Sequence, residues 1–360
     1  MKKVICISLS IVIMLSCAVC SFAAKNEIDG CNWMSVIKDD TSLADISMPG
    51  THDTAATYLA LGIKARCQDK TIPEQLNCGA RFLDIRLSYK KHDLIAVHNF
   101  ISCRKGSGFT APKLTFSDIV MSCGEFLENN PKECIVVFVK EDFGSKAEFD
   151  ELLIKYTAKN PMLWYSENRI PNLGEVRGKI VLMNRFSKPD PFVNDENGGI
   201  NLTNFPNQGE NEGSFLISNM KSFSGNMIST YTVQDRYNYP KEEKWSKAVV
   251  PTFKLNKISG ELLINFLSTA NGLSPEINAI YINKKVAEYK FDKNKCYGAV
   301  LFDFIDASLA KQIYSCNASV IDSKLAPANS VPSEVPEPEH GFIRFLDGLW
   351  EKIIAKKVQQ

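Results

Sequence analysis

Short alternating runs of apolar and polar residues set the rhythm of the chain. Ala44, Ile46 and Met48 are apolar around Asp45 and Ser47, which predicts a strand. Pro49 and Gly50 then predict its stop, leaving His52 and Asp53 on a loop at its exit. In residues 81–87, Phe82, Asp84 and Arg86 face one side and Leu83, Ile85 and Leu87 the other; residues 94–98 form a further short strand that delivers His98. Of the four histidines, His52, His92, His98 and His340, two thus stand at strand ends. The carboxyl ends of parallel strands are where a barrel places its chemistry.

Beyond these, residues 71–76 read as a helix start with Pro73 near its first turn. Residues 117–127 read as a helix capped by Ser117, 134–139 as a strand leaving at Lys140, and 146–159 as a helix. Residues 179–183, 228–233, 262–267 and 299–304 read as strands, with a helix at 277–289. Strands alternating with helices predict an α/β fold with a parallel sheet, and their number fits one (β/α) barrel. Asn, Gly and Pro accumulate over 188–226, which predicts a long irregular loop and an imperfect barrel.

The two ends read differently. Lys2 and Lys3, an apolar run to Cys20 and the small residues around Ala23 and Ala24 predict a signal peptide over 1–24, and so a secreted or periplasmic protein. A membrane anchor is the rival, against which the run is short of the roughly 20 residues a span needs; lipid attachment at Cys17 is a third reading. Residues 25–325 are expected to form the barrel, 326–340 a Pro/Glu-rich linker and 341–360 an amphipathic helix. That helix has two destinations: docking on the barrel, or a membrane surface touched through Phe342, Phe345 and Trp350.

A formal charge of +1 argues against a nucleic-acid partner. Removing the leader with Cys6, Cys17 and Cys20 leaves Cys31, Cys67, Cys78, Cys103, Cys123, Cys134, Cys296 and Cys316, an even set that in an exported protein suggests disulfides. Buried free thiols are the alternative. None of these eight is spaced C-x-x-C, so a zinc site is not suggested.

Pro49-Gly50-Thr51-His52-Asp53, the segment from Gly79 to Arg86, and Val97-His98 together resemble the X domain of the bacterial phosphatidylinositol-specific phospholipases C. The likeness continues in Lys140-Glu141, in 178–182 with Arg185, in the run from Thr232 to Tyr237 and in Leu301-Phe302-Asp303, all in the family's order. It implies an irregular TIM barrel and an enzyme, a phosphatidylinositol diacylglycerol-lyase. The substrate implied is phosphatidylinositol, with glycosylphosphatidylinositol anchors as a further one, at a membrane surface and by a monomer.

The resemblance also implies roles. His52 would be the base that takes the inositol 2-hydroxyl proton, with Asp303 fixing its tautomer. His98, assisted by Asp53, would be the acid for the diacylglycerol oxygen, giving inositol 1,2-cyclic phosphate. Arg86, oriented by Asp84, carries a permanent charge where calcium-dependent relatives hold their ion, so no cofactor and no metal is expected. Lys140, Arg185 and Asp235 would bind inositol hydroxyls, with Tyr237 as a stacking surface. Structural rivals remain: an interior ion pair for Asp84 and Arg86, a strand end for Lys140, a turn for Asp235, and Asp306 as a local competitor of Asp303. The segment 101–112, with Cys103, Arg104 and Lys105, departs from the family and follows His98 directly, at the mouth of the site or against anionic lipid. Two rival functions stay open, a non-catalytic lipid-binding or interaction module and a calcium-dependent phosphodiesterase of the same fold.

Overall fold

The computed structural model describes residues 28–59, 65–143, 146–185, 198–202, 205–209 and 231–325. The leader, the linker, the terminal helix and most of the Asn/Gly/Pro-rich segment lie outside these residues. No helix among the described residues is long and apolar enough to cross a membrane.

Eleven strands form one sheet: β1 Met48–Thr51, β2 Phe82–Lys90, β3 Asp93–His98, β4 Ile101–Ser102, β5 Ile135–Phe143, β6 Trp164–Tyr165, β7 Ile180–Asn184, β8 Ile200–Asn201, β9 Tyr231–Gln234, β10 Leu262–Phe266 and β11 Ala299–Phe302. The order β6-β7-β5-β2-β1-β11-β10-β9 is parallel throughout, and β8 adds to β7. Among the described residues no ladder joins β8 to β9. The fold is an irregular TIM barrel. Phe82, Val136, Met183, Leu262 and Ala299 are buried and line a small apolar cavity.

β1 begins later than the alternation predicts. Leu43–Asp45 is a turn of 3-10 helix, and Pro49 and Gly50 lie inside the strand instead of ending it. Pro49 is tolerated because its missing N–H points toward β2 ahead of the first paired residue there; its carbonyl accepts from Arg81. At Gly50 a Cβ would lie 2.5 Å from the Phe82 carbonyl oxygen, so only glycine lets β1 and β2 approach. His52 still leaves the strand's carboxyl end.

Other boundaries shift for local reasons. The helix Phe116–Asn129 is capped by Thr115, not Ser117, through a reciprocal pair with Asp118. β5 runs past Lys140, so that residue stands on a strand beside Arg86.

The predicted third parallel strand is instead the return arm of a hairpin. β2 overruns the rim, turns at Lys91 and His92, and β3 comes back antiparallel with Leu87 opposite Ala96. That register lowers His98 to the level of the other site residues.

The eight cysteines of the described residues are all free thiols, contrary to the predicted disulfides. Cys67, Cys103, Cys123, Cys134 and Cys316 are buried as small apolar side chains of the core, and the thiol of Cys123 is pushed up to about 12 by burial.

Candidate active site

The exits of β1 and β11, the end of β3 and the body of β2 converge on one group of ionisable side chains. His52 follows β1, and Asp303 follows β11, the strand paired with it. The imidazole Nδ1 of His52 lies 2.7 Å from Asp303 Oδ1. Arg86 donates from Nη2 to Nε2 of the same ring, also at 2.7 Å. A ring nitrogen that accepts cannot carry a proton, so His52 is the neutral Nδ1–H tautomer with its lone pair on the Arg86 side. The edge of Phe266 closes its flank.

Burial works to lower the pKa of His52, but the charge and hydrogen bond of Asp303 outweigh it and Arg86 together, and the net shift is upward from 6.5. His98 makes a parallel pair, Nδ1 to Asp53 Oδ2 at 2.5 Å. Asp53 is fully buried, which would raise its pKa. The charges of Arg86 and His98 and the hydrogen bond from His98 prevail and hold it at about 2.

Arg86 stands between the two pairs. It lies 3.6 Å from Asp53 through Nε and 3.4 Å from Asp84 through Nη2. Burial alone would lower its pKa, yet Asp53 and Asp84 raise it well above the ordinary guanidinium value. Asp84 accepts the backbone N–H of Asp53 at 3.0 Å, and its carbonyl accepts from Thr54. Those bonds hold Asp53 in the left-handed region at φ 44°, a conformation that costs a non-glycine residue free energy and recurs at functional sites.

Lys140 pairs with Asp142 at 2.5 Å. Arg185 lies 3.9 Å from Asp235 and stacks 3.8 Å from the centre of the Phe205 ring. Burial lowers the Arg185 pKa, while Asp235 and Asp84 oppose the shift. The buried donors Nε of Arg86 and Nη1 of Arg185 have no hydrogen-bond partner. Unmet donors beside two partly open imidazoles suit an anion flanked by hydroxyls. Tyr237 follows Asp235, packs its ring on Gly209 and donates to Asn207 Oδ1; the described contacts do not join it to the histidine pairs. Asp306 is spent as the cap of the helix Ala307–Tyr314, so Asp303 alone of the two meets His52. His92 bonds the Tyr89 hydroxyl in the hairpin turn.

Two side chains carried no signal in the sequence. Gln68 donates from Nε2 to the carbonyls of His52 and Phe302, pinning the exits of β1 and β11 together. Asn283 donates to the carbonyls of Asp303 and Phe304. An amide that clamps main chain needs no fixed spacing from what it holds.

Residues 46–186 match the family model described as phosphatidylinositol-specific phospholipase C, X domain. The 1-phosphatidylinositol phosphodiesterase of Listeria monocytogenes is 28% identical over 311 residues, 81% of this chain and 87% of that protein. The enzyme of the same name from Staphylococcus aureus is 28% identical over 278 residues, 71% of this chain and 82% of that one. The solved structure of the Listeria monocytogenes phosphatidylinositol-specific phospholipase C superposes with a TM-score of 0.64 at 25% identity, covering 81% of this chain and 99% of that one.

Proposed function

We propose that the chain is a phosphatidylinositol-specific phospholipase C that cleaves phosphatidylinositol, on the strength of the X-domain match over residues 46–186 and of its likeness to the Listeria monocytogenes enzyme. The observation that carries the reading is one guanidinium, Arg86, held between two imidazole–carboxylate pairs. A binding module has no use for a base and an acid on opposite sides of a cation.

His52 takes the proton of the inositol 2-hydroxyl through Nε2, and Asp303 stabilises the imidazolium that forms. The alkoxide attacks the phosphorus. Arg86 leaves Nε2 and neutralises the charge that gathers on the phosphate oxygens. His98 gives a proton to the departing diacylglycerol oxygen, and the ionised Asp53 supports its charged form beforehand. The products are diacylglycerol and inositol 1,2-cyclic phosphate. Lys140, Arg185 and Asp235 hold the remaining hydroxyls, and Tyr237 offers its ring to the apolar face.

No metal ion is assigned a role, because the Arg86 guanidinium supplies the positive charge at the phosphate. The lipid-facing surface is apolar. Phe100 is 73% exposed and Phe109 is 68% exposed on the segment beside His98. In the same segment Arg104 donates to the Ala111 carbonyl and Lys105 pairs with Asp118.

Incubation with phosphatidylinositol vesicles in excess chelator tests the reading. Diacylglycerol is expected. Release only after calcium is added would support the metal-dependent alternative, and no release in either condition would leave the lipid-binding one.

A further inference from the structure

We propose that Asp53, Cys67 and His98 form an inhibitory site for a thiophilic divalent cation, zinc being the representative ion. Cys67 has no part in the mechanism above, yet its buried thiol lies against the site, with Sγ 3.8 Å from His98 Nδ1. That nitrogen is 2.5 Å from Asp53 Oδ2, and one ligand atom from each of the three residues lies within 4.8 Å of the others. In a tetrahedral zinc site a bound thiolate sulfur and imidazole nitrogen stand about 3.6 Å apart. The Cys67–His98 edge is already near that length, and the Asp53–His98 edge needs to open to about 3.3 Å as the ion takes the place of the shared proton.

The second oxygen of Asp53, Oδ1, is buried and has no hydrogen-bond partner, so a ligand for a cation is already unpaired. The exposed side of His98 leaves a route for the ion and a fourth position for water.

Charge decides whether Arg86 tolerates the ion. Zinc with one thiolate and one carboxylate is neutral. So is the thiol beside a carboxylate and a protonated imidazole, which is the state the reaction itself requires. Arg86, 3.6 Å from Asp53, therefore meets no added positive charge. The neighbouring set of His52, Cys67 and Asp303 is as compact, but both nitrogens of His52 are engaged, by Asp303 and by Arg86.

Binding displaces the thiol proton and the proton shared by His98 and Asp53, and both pass to solvent. Inhibition follows because the ion on Nδ1 replaces the imidazolium by a metal-bound imidazole whose remaining Nε2 proton is a much weaker acid, a consequence that rests on the role proposed for that residue.

Cobalt(II) added to the whole protein reads the site without reference to activity. A thiolate-to-cobalt absorption band is expected in the unaltered protein, and it should be lost in both Cys67→Ser and His98→Ala. No band, or a band that survives in His98→Ala, overturns the site even if Cys67→Ser does not fold. In the hydrolysis assay zinc should inhibit reversibly by chelator, and Cys67→Ser, referred to its own zinc-free rate, should need at least ten times more. A cobalt band that follows the two residues without inhibition by zinc would keep the site and overturn its inhibitory effect.

Discussion

Arg86 holds the lone pair of His52: its Nη2 donates to Nε2 at 2.7 Å, in the place where a substrate hydroxyl must later sit. The contact keeps the base unprotonated while the site waits, and substrate phosphate draws the guanidinium away as the hydroxyl arrives. Arg86→Gln should therefore lower kcat by roughly 100- to 1,000-fold, the ordinary value of one electrostatic donor at developing charge. Steady-state kinetics on monomeric substrate check this. A variant within tenfold of the original rate would contradict the assignment.

Asp303 is what raises His52 against burial and Arg86. The base must be neutral to act, so a raised pKa sets the acidic limb of the rate profile above the usual histidine value. Asp303→Asn removes that influence. The limb should move to lower pH while the plateau falls by roughly 100- to 10,000-fold. A plateau that falls with the limb unmoved would mean that Asp303 acts only on structure.

Asp53, held at about 2 in the folded protein, ties stability to acid. Between that value and its ordinary 3.8 the unfolded chain binds the proton more readily. Its contribution is thus fully present above about pH 4 and is lost as pH falls through 2. The size is on the order of 2 kcal/mol. Urea unfolding of the unaltered protein and Asp53→Asn across this window should give curves that converge toward pH 2.

Phe100 sits in the turn between β3 and β4, two residues after His98, and Phe109 in the loop that follows β4. Replacing both by Ser should weaken binding to phosphatidylinositol vesicles at least tenfold and leave hydrolysis of a water-soluble substrate within about twofold. Equal losses on both substrates would assign the rings to the fold instead of the lipid.

Much of this site could be read before folding because strands alternate. Asp84 and Arg86 share a face with Phe82 by a period of two, and the order of motifs placed His52, His98 and Asp303 at rims. The hairpin was hidden by its turn. Lys91 and His92 both adopt positive φ, 53° and 63°, and make a two-residue loop of a kind usually marked by Asn-Gly. Without glycine the turn leaves no signal, so β3 read as one more parallel strand. Pro49 misled in the opposite sense, since a proline at the unpaired start of a ladder does not end a strand. Five of the eight free thiols are core side chains, a placement that a cysteine count does not contain. The carbonyl clamps of Gln68 and Asn283, and the place of Cys67 between the two histidine pairs, depend on contacts that only the closed barrel brings about.

A base and an acid work across Arg86 without a metal ion, and phosphorus NMR of the protein with phosphatidylinositol in excess chelator reads this in one experiment. The downfield resonance of inositol 1,2-cyclic phosphate is expected as first product, lost in His52→Ala and in His98→Ala. An acyclic inositol phosphate appearing first, or a cyclic product that forms only once calcium is supplied, would contradict it.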